Sequence, residues 1–144
     1  MADTLASSKF KVKIDSKEYA NCSGFTPPRI SIAPVEHRDD DGKKGVTYDS
    51  GNVSVSSVTI RKPFDVGDST LIDWIDTVKQ SGCDGNKKTI GVTVFDNADN
   101  AKLEVTLNNA WPSDYGHTQY EKDGNARVME EVTLVVEDAQ YKTL

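Results

Sequence analysis

Residues with reactive chemistry are scarce in this chain of 144 residues. His37 and His117 are its only histidines; they stand far apart, and neither lies near a Gly-x-Ser-x-Gly elbow or a cysteine with activating neighbours. The nucleophile–base pairings of covalent hydrolysis are therefore missing. Cys22 and Cys83 are the only cysteines and match no metal-ligand spacing; two free thiols are expected in a reducing compartment, with a disulfide as the alternative. Phosphate-cradling loops, dinucleotide fingerprints and clustered Cys or His ligands are lacking as well. The stretch HRDDDG imitates the opening of a calcium loop with Asp39, Asp41 and Gly42. Its first ligand, however, would be His37, and Tyr48 occupies the position of the bidentate glutamate, so the match fails. Asp73 and Asp76 could be imagined as an acid–base pair, but two aspartates on the outer side of an amphipathic segment are ordinarily a solvated surface. No cofactor, metal or catalytic residue is expected, and a binding or structural role follows.

Long apolar runs are also missing. Nowhere do about 18 apolar residues stand together, and the opening MADTLASSKFKVKID has no apolar core of signal-peptide length. A soluble protein made in a cytoplasm, with no stable membrane insertion, is expected. The sequons NCS and NVS then carry no meaning. With 36% hydrophobic residues the core must be thin and well patterned, and a formal net charge of -6 argues against nonspecific grip on nucleic acid or anionic lipid. Protein partners are the expectation, and the length suits one domain over residues 1–144.

What is present is alternation. Phe10, Val12 and Ile14 alternate with polar residues, as do Ile90, Val92 and Val94, then Leu103, Val105 and Leu107. A last block holds Val128, Val132, Leu134 and Val136, with Glu130 interrupting. Short period-two blocks separated by Gly, Pro, Asn and Asp clusters such as NADN and EKDGN mark an antiparallel β domain. Ile30 and Ile32 are followed out of phase by Val35 and His37 after Pro34, which predicts a bulge or an edge. Val53 and Val55 are followed out of step by Val58 and Ile60 across two serines, which predicts a second bulge.

Helical period occurs once, near residues 69–81, where Leu71, Trp74 or Ile75, and Val78 recur on one side. Asp68 or Ser69 can cap its start and Gly82 its end. The fold class expected is mainly β: an antiparallel barrel or sandwich with one flanking helix. The polar stretch from about 37 to 52 is too glycine-rich for a core element and too long for a tight turn. It predicts a protruding loop or long hairpin, the first place to look for a partner.

Taken in order, FKVKID, CSGF, VTIRKPF, LIDWI, the KK before TIGVTVFD, NNAWPSDY and VMEEVTLVVE resemble the inner tail-tube protein of contractile-tailed phages and of phage-derived contractile injection systems. That family is related to the haemolysin-coregulated tube protein of type VI secretion, and the likeness runs from Phe10 to about Glu137. The resemblance implies a β-barrel with a flanking helix and an extended loop. It implies homo-hexameric rings stacked into a hollow tube, a surrounding sheath protein, baseplate and spike hub partners, and possible cargo in the lumen. It also implies synthesis in a bacterial cytoplasm and assembly in a phage tail or injection particle. The family's Asn-Ala-Trp-Pro segment falls on Asn109, Ala110, Trp111 and Pro112, and its helical Trp-Ile on Trp74 and Ile75; Trp74, Ile75, Asn109, Trp111 and Pro112 are the implied structural anchors. Arg38, Asp39, Asp40, Asp41, Lys43, Lys44 and Tyr48 would serve ring stacking. An acidic block followed by a basic pair suits head-to-tail contact. IRKPF departs from the family's usual Arg-Gly, so a different turn is expected at Lys62 and Pro63.

The stretch LNNAWPSDYG raises its own question, because an alternating strand meets a bulky Trp and then a Pro. The residues alone suggest that Pro112 ends the strand, since it has no N–H for the ladder. Trp111 then either anchors a barrel corner or packs across a subunit boundary. Ser54, Ser56 and Thr59 could line a wet lumen or face the outside. The rival reading is a monomeric β-sandwich that binds carbohydrate by stacking on Trp111, Tyr115 and Tyr120.

Overall fold

The computed structural model describes residues 5–6, 9–19, 21–38, 46–122, 124 and 127–144, without the side chains of residues 37–38 and 46–48. Its elements in chain order are β1 (Phe10–Ile14), β2 (Lys17–Tyr19), β3 (Gly24–Thr26), β4 (Ile30–Arg38), β5 (Val46–Val55), β6 (Val58–Pro63), α1 (Thr70–Ser81), β7 (Lys88–Phe95), β8 (Ala101–His117) and β9 (Met129–Thr143). Seven strands form one antiparallel sheet in the order β2-β1-β7-β8-β9-β6-β3, while β4 and β5 pair only with each other.

The two edge strands of the large sheet, β2 and β3, are consecutive in the chain. Only the steps from Tyr19 to Gly24 join them, a reach of at most about 18 Å. A flat sheet of seven strands is wider than that, since neighbours lie ~4.8 Å apart. The sheet must curl until its edges approach, and the result is a half-barrel that the chain itself straps shut. Alternation then sends Val12 and Ile14, Val58 and Ile60, Ile90 and Val92, Val105 and Leu107, and Val132, Leu134 and Val136 into the concave core.

Strand β8 answers the question set by its sequence. Asn109 takes a left-handed backbone, φ 55°, and the register against β7 slips there. The extra residue re-phases the strand, so that Leu107 before it and Ala110 and Pro112 after it all face inward. Pro112 does not end the strand. It is buried opposite Leu134, and after a second irregularity between Pro112 and Asp114 pairing with β9 resumes to His117. Trp111, one residue out of that phase, lies half-buried on the convex face opposite Val135.

The helix runs over Thr70–Ser81, buries Leu71 and Trp74 and leaves Ile75 half-exposed. Trp74 Nε1 donates to the Asn86 carbonyl at 2.8 Å, which satisfies the polar end of the ring. Ser69 occupies the N-cap position without a capping bond from its side chain. The Asp68 carboxylate does that work, accepting from Thr70 N at 3.1 Å and Thr70 Oγ1 at 2.7 Å. Gly82, at φ 82°, closes the helix by donating to the Val78 carbonyl.

Other expectations shift. Ser56 and Ser57 are not a bulge within one strand but the crossing from the β4–β5 ribbon to the large sheet. Lys62 and Pro63 lie in β6 rather than in a turn. Glu130 does not interrupt β9; it keeps the inward phase. Of the region from 37 to 52, the described residues take the long-hairpin alternative: His37 and Arg38 in β4 pair with Thr47 and Val46 in β5. The conformation at Asn109 yields a test: Asn109→Val should lower the unfolding free energy by about 1–2 kcal/mol and Asn109→Gly should be neutral or stabilising, measured by chemical denaturation.

Candidate assembly surfaces

The β4–β5 ribbon leaves the body of the protein at a small clamp, where Arg29 N donates to Ser56 Oγ at 2.8 Å and Ser56 N to the Arg29 carbonyl at 3.0 Å. Val55 packs against the core at this root. Beyond it, Ile30 pairs with Val55 and Ile32 with Val53 on one face, and Ser31 pairs with Ser54 on the other. The apolar face is uncovered, with Ile32 56% and Val53 63% exposed. Among the described residues neither long edge of the ribbon has a ladder partner. The register shifts between Ile32 and Pro34, where Gly51 and Asn52 stand opposite Ala33 alone, so the irregularity foreseen at Pro34 is carried by β5. Gly51 is obligatory there: a Cβ would lie 2.8 Å from the Ala33 oxygen.

A second apolar surface lies at one mouth of the half-barrel. Phe10, Phe25, Val94, Leu103, Val105 and Tyr141 line a cavity of about 190 Å³ between β1 and β3, where no strand bridges the sheet edges.

The other end of the barrel is charged inside. Lys62 and Glu130 are cross-strand neighbours, 2% and 1% exposed, with Nζ and Oε2 3.6 Å apart. His117 stands across from Glu130 on β8, completing a row of cation, carboxylate and imidazole. Lys62 Nζ also lies 5.3 Å from the centre of the Tyr19 ring and donates to the Pro63 carbonyl at 3.3 Å. Glu130 Oε1 and the Tyr19 hydroxyl are buried with no hydrogen-bond partner among the described residues. Burial drives the Glu130 carboxyl above its ordinary range, only partly opposed by Lys62 and His117. Burial likewise pushes the Cys22 thiol up to about 11 against the pull of Lys62, so this free cysteine stays protonated.

The rings invoked for carbohydrate binding do not form one platform. Trp111 is on the convex face, whereas Tyr115 packs against the core opposite Val132. Tyr115 and Tyr120 are tied to each other through His117, with Oη–Nε2 2.7 Å and Nδ1–Oη 2.5 Å. Burial and the charge of Glu130 raise the Tyr115 phenol to about 12.

Of the residues expected to stack rings, Asp39, Asp40, Asp41, Lys43 and Lys44 lie outside the described residues. Arg38 pairs with Val46 and Tyr48 with Glu36 in the ribbon. The structure does not bring Trp74, Ile75, Asn109, Trp111 and Pro112 into one cluster: Trp74 is in the core under the helix, Pro112 is in the barrel and Trp111 is outside it. Sequence reasoning missed β2, β3 and the apolar mouth, and it missed the partnership of Lys62 with Glu130. Its available signal was the spacing itself, Val58-Ile60-Lys62 against Glu130-Val132-Leu134. Among the described residues no group of His, Cys, Asp and Glu could hold a metal ion, and no helix is long and apolar enough to cross a membrane.

A curled antiparallel half-barrel with one helix and a projecting two-stranded ribbon is a tail-tube fold. The model of the family described as T4-like virus tail tube protein gp19 matches residues 6–140, and the chain belongs to that family: it is a structural tube subunit, not a carbohydrate-binding module. Among solved structures it resembles a chain in the tube-terminating cap of the anti-feeding prophage, with 16% identity, TM-score 0.85, and 100% of this chain and 94% of that chain covered. A chain of the sheath–tube complex of the PVC extracellular contractile injection system, in its extended state, is 20% identical with TM-score 0.83, covering 98% and 93%. Hcp1 from Flavobacterium johnsoniae is 13% identical with TM-score 0.56, covering 94% and 98%. No curated protein matches the sequence.

Two measurements test the charged end of the barrel. Lys62→Met alone should destabilise by about 3–5 kcal/mol by stranding a buried carboxylate, while Lys62→Met with Glu130→Leu should recover most of the loss in denaturant titrations. Because the Glu130 carboxyl is raised in the folded state, folding binds a proton at pH values just above the ordinary carboxylate pKa. This group's contribution to stability therefore falls as pH rises from the ordinary Glu range through the folded pKa. Glu130→Gln should flatten that part of the stability–pH curve.

Proposed function

We propose that this chain closes into hexameric rings that stack into the tube of a contractile injection particle, inside a sheath and on a baseplate, and that it has no catalytic role. The observation that carries this reading is the ribbon. Two strands with an uncovered apolar face and two open edges are marginal alone and hazardous in a free monomer. Neighbouring copies would supply the missing cover and backbone partners, as in strand addition generally. The resemblance supports six copies per ring, and the solved relatives come from sheath–tube and baseplate assemblies.

Arg38, Tyr48 and the charged residues Asp39, Asp40, Asp41, Lys43 and Lys44 are proposed to make the contact between rings. Trp111, half-buried on the convex face, is proposed as a subunit-boundary anchor. Ser54, on the polar face of the ribbon, and Thr59, whose Oγ1 is 3.5 Å from that of Thr133 on the convex face, suit a wetted lumen wall. Synthesis in a bacterial cytoplasm is part of the same proposal.

Electron microscopy of the purified chain should show rings or tubes, each subunit interface burying more than about 2000 Å². The double variant Ile32→Asp with Val53→Asp should remain a monomer by light scattering while keeping the parent's far-ultraviolet dichroism and melting. Lys43→Glu with Lys44→Glu should leave rings intact but prevent their stacking. A parent chain that stays solitary at high concentration overturns the proposal.

A further inference from the structure

The ribbon meets the large sheet at its root, and the peptide unit between Pro28 and Arg29 lies there. Its two polar groups are held by different parts of the molecule. The Pro28 carbonyl accepts a hydrogen bond from the Tyr141 hydroxyl of β9, and the Arg29 N–H donates to Ser56 Oγ at 2.8 Å. Because a peptide unit is planar, these two bonds grip one rigid plate from both ends. Ser56 N also donates to the Arg29 carbonyl at 3.0 Å, so the plate that leads into β4 is tied to the residue that follows β5.

Few rotations separate that plate from the ribbon. The rings of Pro27 and Pro28 fix their own φ, and Pro28 restricts Pro27 further. Between the plate and Ile30, the first residue of β4, lie only the φ and ψ of Arg29. Tyr141 is a fixed post for this plate, since it pairs with Val105 in the β8–β9 ladder and lines the barrel mouth with Phe10 and Phe25. Partial burial raises its phenol above the ordinary tyrosine range, so the hydroxyl remains a donor at neutral pH. The ladder between β9 and β6 ends at Leu134 opposite Val58. Beyond it, among the described residues, no ladder bond ties β9 to the start of the ribbon.

We propose that Tyr141 is a positioning residue for assembly: through the Pro28–Arg29 peptide its hydroxyl sets the angle at which the ribbon leaves the sheet. The proposal rests on the assembly reading above. The leverage is large, because a strand of nine residues is about 30 Å long, and a turn of about 10° at its root moves the far end by about 5 Å, a whole strand spacing. Losing the hydroxyl would therefore misdirect the ribbon while sparing the sheet.

Tyr141→Phe removes the hydroxyl and keeps the ring. In hydrogen exchange on the dilute, unassembled full chain, residues 30–32 and 53–55 should open about three- to tenfold faster, the worth of one net hydrogen bond, while β7 and β8 match the parent. The threshold concentration for ring formation, read by light scattering and electron microscopy, should rise by about the same factor as the fraction of correctly aimed ribbon falls. Ser56→Ala releases the other end of the same peptide, and Ser56→Thr, which keeps a hydroxyl, should restore parent behaviour. Since both bonds hold one plate, Tyr141→Phe with Ser56→Ala should exchange little faster at the root than either single variant. Unchanged exchange at the root, a rise shared equally by the whole sheet, a Tyr141→Phe chain that does not fold, or additive effects in the double variant overturn the proposal. Rings that form at the parent's threshold despite a loosened root also overturn it while leaving the tube reading standing. If the parent forms no rings, the assembly reading fails and the part of Tyr141 in assembly fails with it.

Discussion

Backbone hydrogen bonding governs how much of this molecule can be complete in one copy. Every strand of the large sheet finds partners within the chain, but among the described residues β4 and β5 pair only with each other. A ribbon of two strands buries nothing between layers, so its apolar side chains gain little from folding unless something covers them. The exposed Ile32 and Val53 thus describe an unfinished structure rather than an ill-formed one. Contiguous apolar surface of this kind marks an interaction site. The rest of the fold serves to hold that ribbon at a fixed angle: the Arg29–Ser56 clamp fixes its root, and Val55 pins it to a core already closed by other strands.

The rigidity of that base depends on an unusual element. Lys62 and Glu130 face each other across β6 and β9 inside the barrel, where apolar residues would have been at least as stabilising. A charge pair, however, tolerates no slip. Moving β6 by one residue against β9 would turn Lys62 outward and strand Glu130 in the core, a cost of several kcal/mol. The pair therefore acts as a register lock on the strand that leads directly out of the ribbon, and register there decides where the ribbon points.

Much of the fold was legible in the chain. Strands β1, β7 and the first half of β8 follow from strict alternation, and α1 from a single stretch of helical period bounded by Asp68 and Gly82. What stayed hidden was hidden for physical reasons. β2 and β3, three residues each, are too short to show a period. The course of β8 past Pro112 depends on Asn109 entering the left-handed region, which no pattern of hydrophobicity encodes. Glu130 looked like an interruption because its partner is about seventy positions away and pairs with it only through the sheet. As for assembly, the residues alone marked the segment around 37–52 as a place for a partner and gave no sign of the apolar mouth of the barrel. The mouth is built from β1, β3, β7, β8 and β9 together and exists only once the sheet has curled.

The division between short edges and a long ribbon also bears on where this chain offers backbone for pairing. Edge strands invite pairing in proportion to their length and flatness. The large sheet exposes only β2 and β3 at its margins, three residues each, strapped together by the chain and flanked by charged Lys17, Glu18 and Arg61. Those margins are poor templates. The ribbon has strands of nine and ten residues, but its bulge at Gly51 twists it and limits any straight ladder to short stretches on either side. Short, strapped and charged margins on the large sheet thus leave the ribbon, with Ile32 and Val53 uncovered, as the place where this chain offers itself for association.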